Sequence, residues 1–355
     1  MTVALALRLS YIGIPALDRT SWKETDYIEI SKNFTKNNFN ILEPTITWPA
    51  ENPRVTAMEF PIVPYAASRL YKIFGFSPLT VRLITLVAFL ILIIYLEKLT
   101  AIFLGRIISL LSAFFVSIIP VFHGYGNFGV LLMLTGMITL FISKKGLIFL
   151  AYFAAILSFF IIVAEGNIDG MYRHLTIVPP AAVMISAGTI TLPFFMFKIA
   201  GKTFRKLKLR SNEKITIKYG IVGFVMLFVV LNISKFDKSK INVWQIYEWK
   251  IACEIKKHLT DGNKIITLGN YSIHKGGNDL SPVLYYYSGT TGWSLQKKEW
   301  DLQNFDKFRE KGAQMIVCLH IDREDALKDF VRKMEKKFRK VYEDKSGSAI
   351  IFLFN

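Results

Sequence analysis

The stretch Leu79–Leu96 reads LTVRLITLVAFLILIIYL, with Arg82 as its one charged residue. A helix rises about 1.5 Å per residue, and a bilayer core about 30 Å thick takes roughly 20 apolar residues. A soluble helix shows a polar stripe every 3.6 residues. Residues 83–96 and 147–164 show almost none. The stretch therefore predicts a transmembrane helix. Further apolar blocks run over Ile107–Phe122, Phe128–Ser143, Leu147–Ala164, Leu175–Phe197 and Gly220–Ser234. Several are short and need flanking residues to complete a crossing. Thr2–Leu17 is shorter still and is interrupted by Arg8 and Pro15. No small-residue cleavage site follows it, so it reads as an abbreviated first span rather than a signal peptide. The total is about seven spans.

Composition agrees. Of 355 residues, 52% are hydrophobic, and mean hydropathy is +0.36. Yet 44 Lys and Arg against 27 Asp and Glu give a net charge of +17. Two Cys cannot staple a chain of this length, which excludes a disulfide scaffold. The same totals exclude a disordered tail and a collagen-like chain. A membrane protein with basic loops and a nucleic-acid binder both remain on composition alone.

Where the charge sits separates those two. Lys98 and Arg106 flank the turn after the Leu79–Leu96 block, and Lys144 and Lys145 follow the block ending at Ser143. Residues 198–218 hold eight Lys and Arg with Glu213 as the one acid. These are alternate loops, so the positive-inside rule places all three on the cytoplasmic side. Much of the +17 is then a topology signal, and nucleic acid is not expected as a partner. The N-terminus falls in the cytoplasm. The loop Asp18–Pro78, the turns His123–Asn127 and Glu165–His174, and everything after Lys235 fall outside.

Two outer regions follow. The loop 18–78 is long enough to carry structure of its own. It holds Asp18, Glu24, Asp26, Glu29, Glu43, Glu51 and Glu59. Tyr27–Phe34 places Tyr27, Ile30 and Phe34 on one face of a short helix, with Asp26 at its start, in cap position or in the first turn. Residues 63–74 read as an amphipathic helix on the membrane surface. Past the last span, Val243–Leu259 reads as a helix. Lys264–Leu268 and Met315–Leu319 read as buried strands, and Asp325–Phe338 as a charged helix. Arg339–Tyr342 and Ala349–Phe354 read as a closing pair of strands. That alternation suits a small α/β domain. The fold class expected is a polytopic α-helical membrane protein with a C-terminal extracytoplasmic α/β domain. The expected division is 1–234, including the outer loop 18–78, and 235–355.

The chain has no P-loop, no G-x-S-x-G, no H-E-x-x-H, no C-x-x-C and no dinucleotide fingerprint. Its five His are scattered, so a metal site is not expected. Cys253 and Cys318 both fall in the C-terminal region and read either as two small apolar residues or as a disulfide in an oxidising compartment. What stands out is a set of carboxylates beside a membrane in an aromatic-rich loop. Partial shielding raises a carboxylate's pKa and suits it to act as a general base.

Several segments carry a family resemblance. They are W-K-E-T-D-Y-I-E-I-S-K-N-F at 22–34, M-E-F-P-I at 58–62, L-Y-K-I-F-G-F at 70–76 and V-R-L at 81–83. In that order they resemble the first outer loop of the GT-C superfamily of membrane glycosyltransferases. The branch they are most similar to contains the bacterial protein O-mannosyltransferases and aminoarabinose transferases, grouped as glycosyltransferase family 39. G-N-I-D-G-M-Y-R-H-L-T-I-V-P-P at 166–180 resembles the family's late outer loop. L-Y-Y-Y-S-G-T-T-G-W at 284–293 and K-G-A-Q at 311–314 resemble its outer C-terminal domain.

The resemblance implies transfer of a hexose or pentose from a polyprenyl-phosphate donor to an acceptor on the outer face of a bacterial inner (plasma) membrane. The acceptor is a glycan, a glycolipid or a protein. A loop carboxylate takes the acceptor's proton while the lipid phosphate leaves, with inversion. Neither a cofactor nor a metal is implied. Asp26 matches the family's aspartate and is named the base, with Asp18 its rival nearer the first span. Glu59 matches the E of E-F-P and would orient the base or hold a sugar hydroxyl. Arg82, Arg173 and His174 are the cations for the departing phosphate, and Arg19 and Trp22 complete the substrate-binding set. The family usually has more spans than about seven. The alternative reading is therefore a non-catalytic or degenerate membrane protein whose outer domain binds a glycan or a partner. A transporter is a third class, disfavoured because charges within the spans are scarce.

Overall fold

The computed structural model describes residues 2–9, 12–17, 21–46, 54–56, 60–118, 126–162, 175–206, 213–233, 245–269 and 281–354. The chain divides into two compact units. One comprises Met1–Gly13 with Thr85–Lys238, and the other Ile14–Ile84 with Ser239–Asn355.

The first unit is helical. It contains α1 (Thr2–Leu9), and α4 (Leu79–Leu104) enters it from the other unit at Thr85. The rest are α5 (Arg106–Ile118), α6 (Gly126–Ser143), α7 (Leu147–Ile162), α8 (Val178–Lys206) and α9 (Glu213–Ile233). The described part of each apolar block of the sequence thus lies in a helix. Among the described residues, two stretches are long and apolar enough to cross a bilayer, Leu79–Leu104 and Leu175–Met196. Arg106–Ile118, Asn127–Ser143, Leu147–Ile162 and Tyr219–Asn232 are shorter apolar helices. The expected first span, Thr2–Leu17, is helical over only 8 residues. Gly13 and Pro15 punctuate the non-helical residues that follow. The basic stretch 198–218, expected as a loop, is helical up to Lys206 and again from Glu213.

Packing within this unit centres on α6 and α8. Ala181, Ala182, Ala187 and Ser186 of α8 are buried, and small residues let helix backbones approach. A Cβ on Gly136 would strike the carbonyl of Met184, and one on Gly188 the carbonyl of Leu132. Ser186 and Thr189 return their hydroxyls to the carbonyls of Ala182 and Ile185, at 2.6 and 2.7 Å, so no polar group is left open there. Phe115, Leu132, Phe149 and Phe228 complete the core. The outward faces carry exposed Ile91, Ile102, Phe141, Ile161 and Val230.

The second unit begins with the outer loop. Here α2 (Ser21–Lys36) starts well before the expected Tyr27, so Asp26 lies inside the helix and Glu24 occupies its first turn. A two-stranded ribbon, β1 (Thr45–Ile46) and β2 (Arg54–Val55), follows. The Asn33 amide donates to the Thr45 carbonyl at 2.7 Å and ties the ribbon to α2. The second loop helix, α3 (Ile62–Phe74), buries Pro64, Ala67, Ser68 and Tyr71 and leaves Ile62, Ile73 and Phe74 exposed.

The remainder is an α/β fold. Its elements are α10 (Ile246–Lys256), β3 (Lys264–Leu268), α11 (Ser281–Ser288), β4 (Thr291–Leu295), α12 (Leu302–Glu310), β5 (Ala313–Cys318), α13 (Asp325–Met334), β6 (Arg339–Glu343) and β7 (Ile350–Leu353). The strand order is β4-β3-β5-β7-β6. The first three strands are parallel, with Ile265 opposite Gly292 and Met315, and β7 and β6 add antiparallel. Strand side chains alternate between faces. Ile266 and Leu268 meet Phe305, Leu327 and Val331 on one face, while Ile265 and Val317 meet Ile251 and Tyr285 on the other. Covering both faces accounts for the continuous apolar runs of β3 and β5. Cys253 is exposed and Cys318 buried, and both are free thiols.

The outer loop, expected with the membrane helices, sits by its contacts with the α/β fold. The backbone N–H of Gln245 donates to the Leu17 carbonyl at 3.1 Å, and Tyr286 of α11 packs against Ile28, Ala67, Tyr71 and Val81.

Candidate functional site

Glu24 sits in the first turn of α2, where a carboxylate faces the positive end of the helix dipole. Arg82 sits in the first turn of α4. Its Nε donates to Glu24 Oε1 at 2.6 Å and its Nη2 to Oε2 at 3.2 Å. The third arm, Nη1, donates to the Ile14 carbonyl at 2.5 Å. A planar guanidinium matches a carboxylate in this forked way, which a lysine cannot do. The two side chains are 22% and 23% exposed, shielded enough for the pair to fix geometry. Arg82 thus joins the segment after α1, the start of α2 and the start of α4.

Two tyrosines lie near this pair, and a third, Tyr71, lies beside one of them. Tyr286 lies near Glu24 and Arg82, and its ring meets Tyr287 edge-on with centroids 5.0 Å apart. The Tyr287 hydroxyl donates to the Ala16 carbonyl at 3.3 Å. Tyr71 of α3 meets Phe76 edge-on at 5.1 Å. Burial pushes the Tyr287 phenol up to about 12 and raises those of Tyr71 and Tyr286, whose neighbours include one another. All three stay neutral at physiological pH and act as apolar surface with a polar tip.

Asp26 is half-buried and lies two residues beyond Glu24. Two helical steps turn a side chain by roughly 200°. Asp26 therefore shares its side of α2 with Ile30 and Asn33, which pack toward the β1 ribbon, while Glu24 shares the side of Ile28. Of the other residues singled out in the sequence, Trp22 lies in the first turn of α2, and its side chain falls outside the described residues. Asp18, Arg19, Glu59, Arg173 and His174 also lie outside them. The Glu24 partnership was not foreseen. In the sequence Glu24 is one acid among seven, and its partner lies 58 residues away.

A second constellation, also unforeseen, lies at the carboxyl ends of the parallel strands. From β3 the chain passes to β4 on one side and then to β5 on the other. The ends of β3 and β5 thus flank the switch point where open α/β sheets form a crevice. His320, two residues past β5, has φ +54°. Its Nε2 lies 3.2 Å from Oε1 of Glu248 on α10, a carboxylate whose side chain is 5% exposed. The Tyr247 ring covers the imidazole with centroids 4.9 Å apart. Oε2 of Glu248 is buried and has no hydrogen-bond partner among the described residues. Among those residues, no three of His, Cys, Asp and Glu gather as a metal site.

No family model matches the chain, and no curated protein matches it. Among solved structures it is similar to that of ArnT from Cupriavidus metallidurans bound to undecaprenyl phosphate. The two superpose with a TM-score of 0.51 at 10% sequence identity, over 99% of this chain and 96% of that one. At that identity the likeness speaks to fold alone. The fold of the chain is thus similar to that of ArnT over nearly its whole length.

Proposed function

We propose that this protein is a membrane glycosyltransferase taking its sugar from a polyprenyl-phosphate donor. The observation that carries the proposal is the whole-chain likeness to a structure that holds undecaprenyl phosphate. It is supported by the order of the loop motifs from Trp22 to Leu83.

In this reading the Asp26 carboxylate accepts the proton of the acceptor hydroxyl. The oxygen forms a bond to the sugar's anomeric carbon while the bond from that carbon to the phosphate oxygen breaks, and lipid phosphate leaves from the opposite face. The product is inverted. Glu24 occupies two arms of Arg82, so Arg82 acts on the site mainly by holding α2 in place. Arg19, Arg173 and His174 are the cations assigned to the leaving phosphate, with Asp18 the rival base, Glu59 the orienting acid and Trp22 in the substrate-binding set. The loop 14–84 and residues 239–355 face the outside of the plasma membrane.

The test of chemistry uses a strain lacking the chain, with mass spectrometry of its lipids and glycans. The wild-type chain restores a sugar-bearing product, and Asp26→Asn inserts at normal level but does not. Orientation has its own test, because the chain has only two cysteines, Cys253 exposed and Cys318 buried. A membrane-impermeant maleimide should label Cys253 in intact spheroplasts. Labelling only after lysis would reverse the assigned orientation.

A further inference from the structure

The helix α11 has two kinds of buried residue. Val283, Leu284 and Tyr285 are buried, with Leu284 and Tyr285 in the core beneath its own sheet and the Tyr285 hydroxyl 3.2 Å from that of Thr267. The next two residues turn the other way. The Tyr286 ring packs against the cluster of Ile28 of α2, Ala67 and Tyr71 of α3, and Val81 of α4. Tyr287 reaches the carbonyl of Ala16. Between them, these two side chains touch every segment that the Arg82 fork joins or borders: residues 14–17, α2, α3 and the start of α4.

We infer that Tyr286 and Tyr287 are positioning residues through which the α/β fold sets the orientation of α2, and with it Asp26. The inference rests on the reading of Asp26 as base. The α/β fold is then a working part of the transferase rather than a separate binding module. The physical ground is that a misplacement of about 1 Å at a reacting group can cost on the order of 100-fold in rate. A ring wedged among three helices prevents such a shift. The ring is what does this, so phenylalanine should serve at 286, whereas at 287 the hydroxyl makes the contact.

The test uses the full-length chain with Tyr286→Ala, Tyr286→Phe and Val81→Ala. The last opens the same contact from α4 without altering the α/β fold. Hydrogen exchange of the amides of residues 21–36 is read against those of β5, and the sugar-bearing product is read in the complemented strain. Tyr286→Ala and Val81→Ala should speed exchange in α2 by about tenfold or more while β5 is unchanged, as expected for a local opening. Product should fall by on the order of 100-fold, and Tyr286→Phe should retain both wild-type values. Unchanged α2 exchange in Val81→Ala, or a Phe variant as impaired as the Ala variant, would overturn the inference. If the wild-type chain yields no product, it is the transferase reading that fails, and exchange alone still decides whether the tyrosines hold α2.

Discussion

The membrane helices and the unit built from residues 14–84 and 239–355 bury apolar surface in different ways. In the helical unit, large side chains such as Ile102, Phe141 and Ile161 point outward, and the tightest contact is made by absence of side chain, at Gly136 and Gly188. In the α/β fold of the other unit the large side chains point inward, against both faces of a sheet. Helices in lipid gain little from hiding Leu or Ile from their surroundings, so close backbone approach holds them together. Side chains buried on both faces of a sheet are held by the area removed from water. The difference predicts which kind of substitution each unit tolerates.

The largest effect should come from filling the α6–α8 contact. Gly136→Leu or Gly188→Leu drives a side chain into a backbone carbonyl and should cost about 3 kcal/mol. It should appear as early thermal unfolding of the helical unit in detergent, with hydrogen exchange in β5 unchanged. Equal loss in both units would erase the contrast. Next comes the buried pair of the α/β fold. Glu248→Leu leaves His320 without its partner and should cost about 2–3 kcal/mol. Exchange should then rise in α10 and β5 before it rises in α6. Glu248→Gln keeps a hydrogen-bonding group opposite the imidazole and should lose less.

The outer loop tests the boundary between the two regimes. Arg82→Ala strands the Glu24 carboxylate and releases the Ile14 carbonyl, at a cost of about 2 kcal/mol. Arg82→Lys keeps the charge but not the fork and should recover only part. Loosening should register in the amides of α2 and not in those of α8. The smallest effect is Tyr287→Phe, which removes one neutral hydrogen bond to Ala16 and should cost about 1 kcal/mol.

Much of this architecture is legible in the sequence, and what is not follows a pattern. The apolar blocks were legible because apolar composition is local. The span of β3, Lys264–Leu268, was legible because a β-branched run bounded by Gly262 and Gly269 leaves few readings. The start of α2 was misplaced because Ser21–Thr25 carries little apolar periodicity, while Asp26 before Tyr27 imitates a cap. What stayed hidden depends on contacts far apart in sequence. Glu24 with Arg82, Glu248 with His320, and Tyr286 with Val81 are each set by tertiary packing that no short window contains. The same reason explains why the loop 14–84 reads as part of a membrane domain, though its contacts group it with residues 239–355.

The central claim is that a loop carboxylate on α2 performs lipid-linked sugar transfer. Its most direct measurement compares Asp26→Asn with wild type in a strain lacking the chain, with both proteins at equal membrane level and the sugar-bearing product quantified by mass spectrometry. The account predicts product with wild type and none with Asp26→Asn. Wild-type levels of product from the Asp26→Asn chain would contradict it.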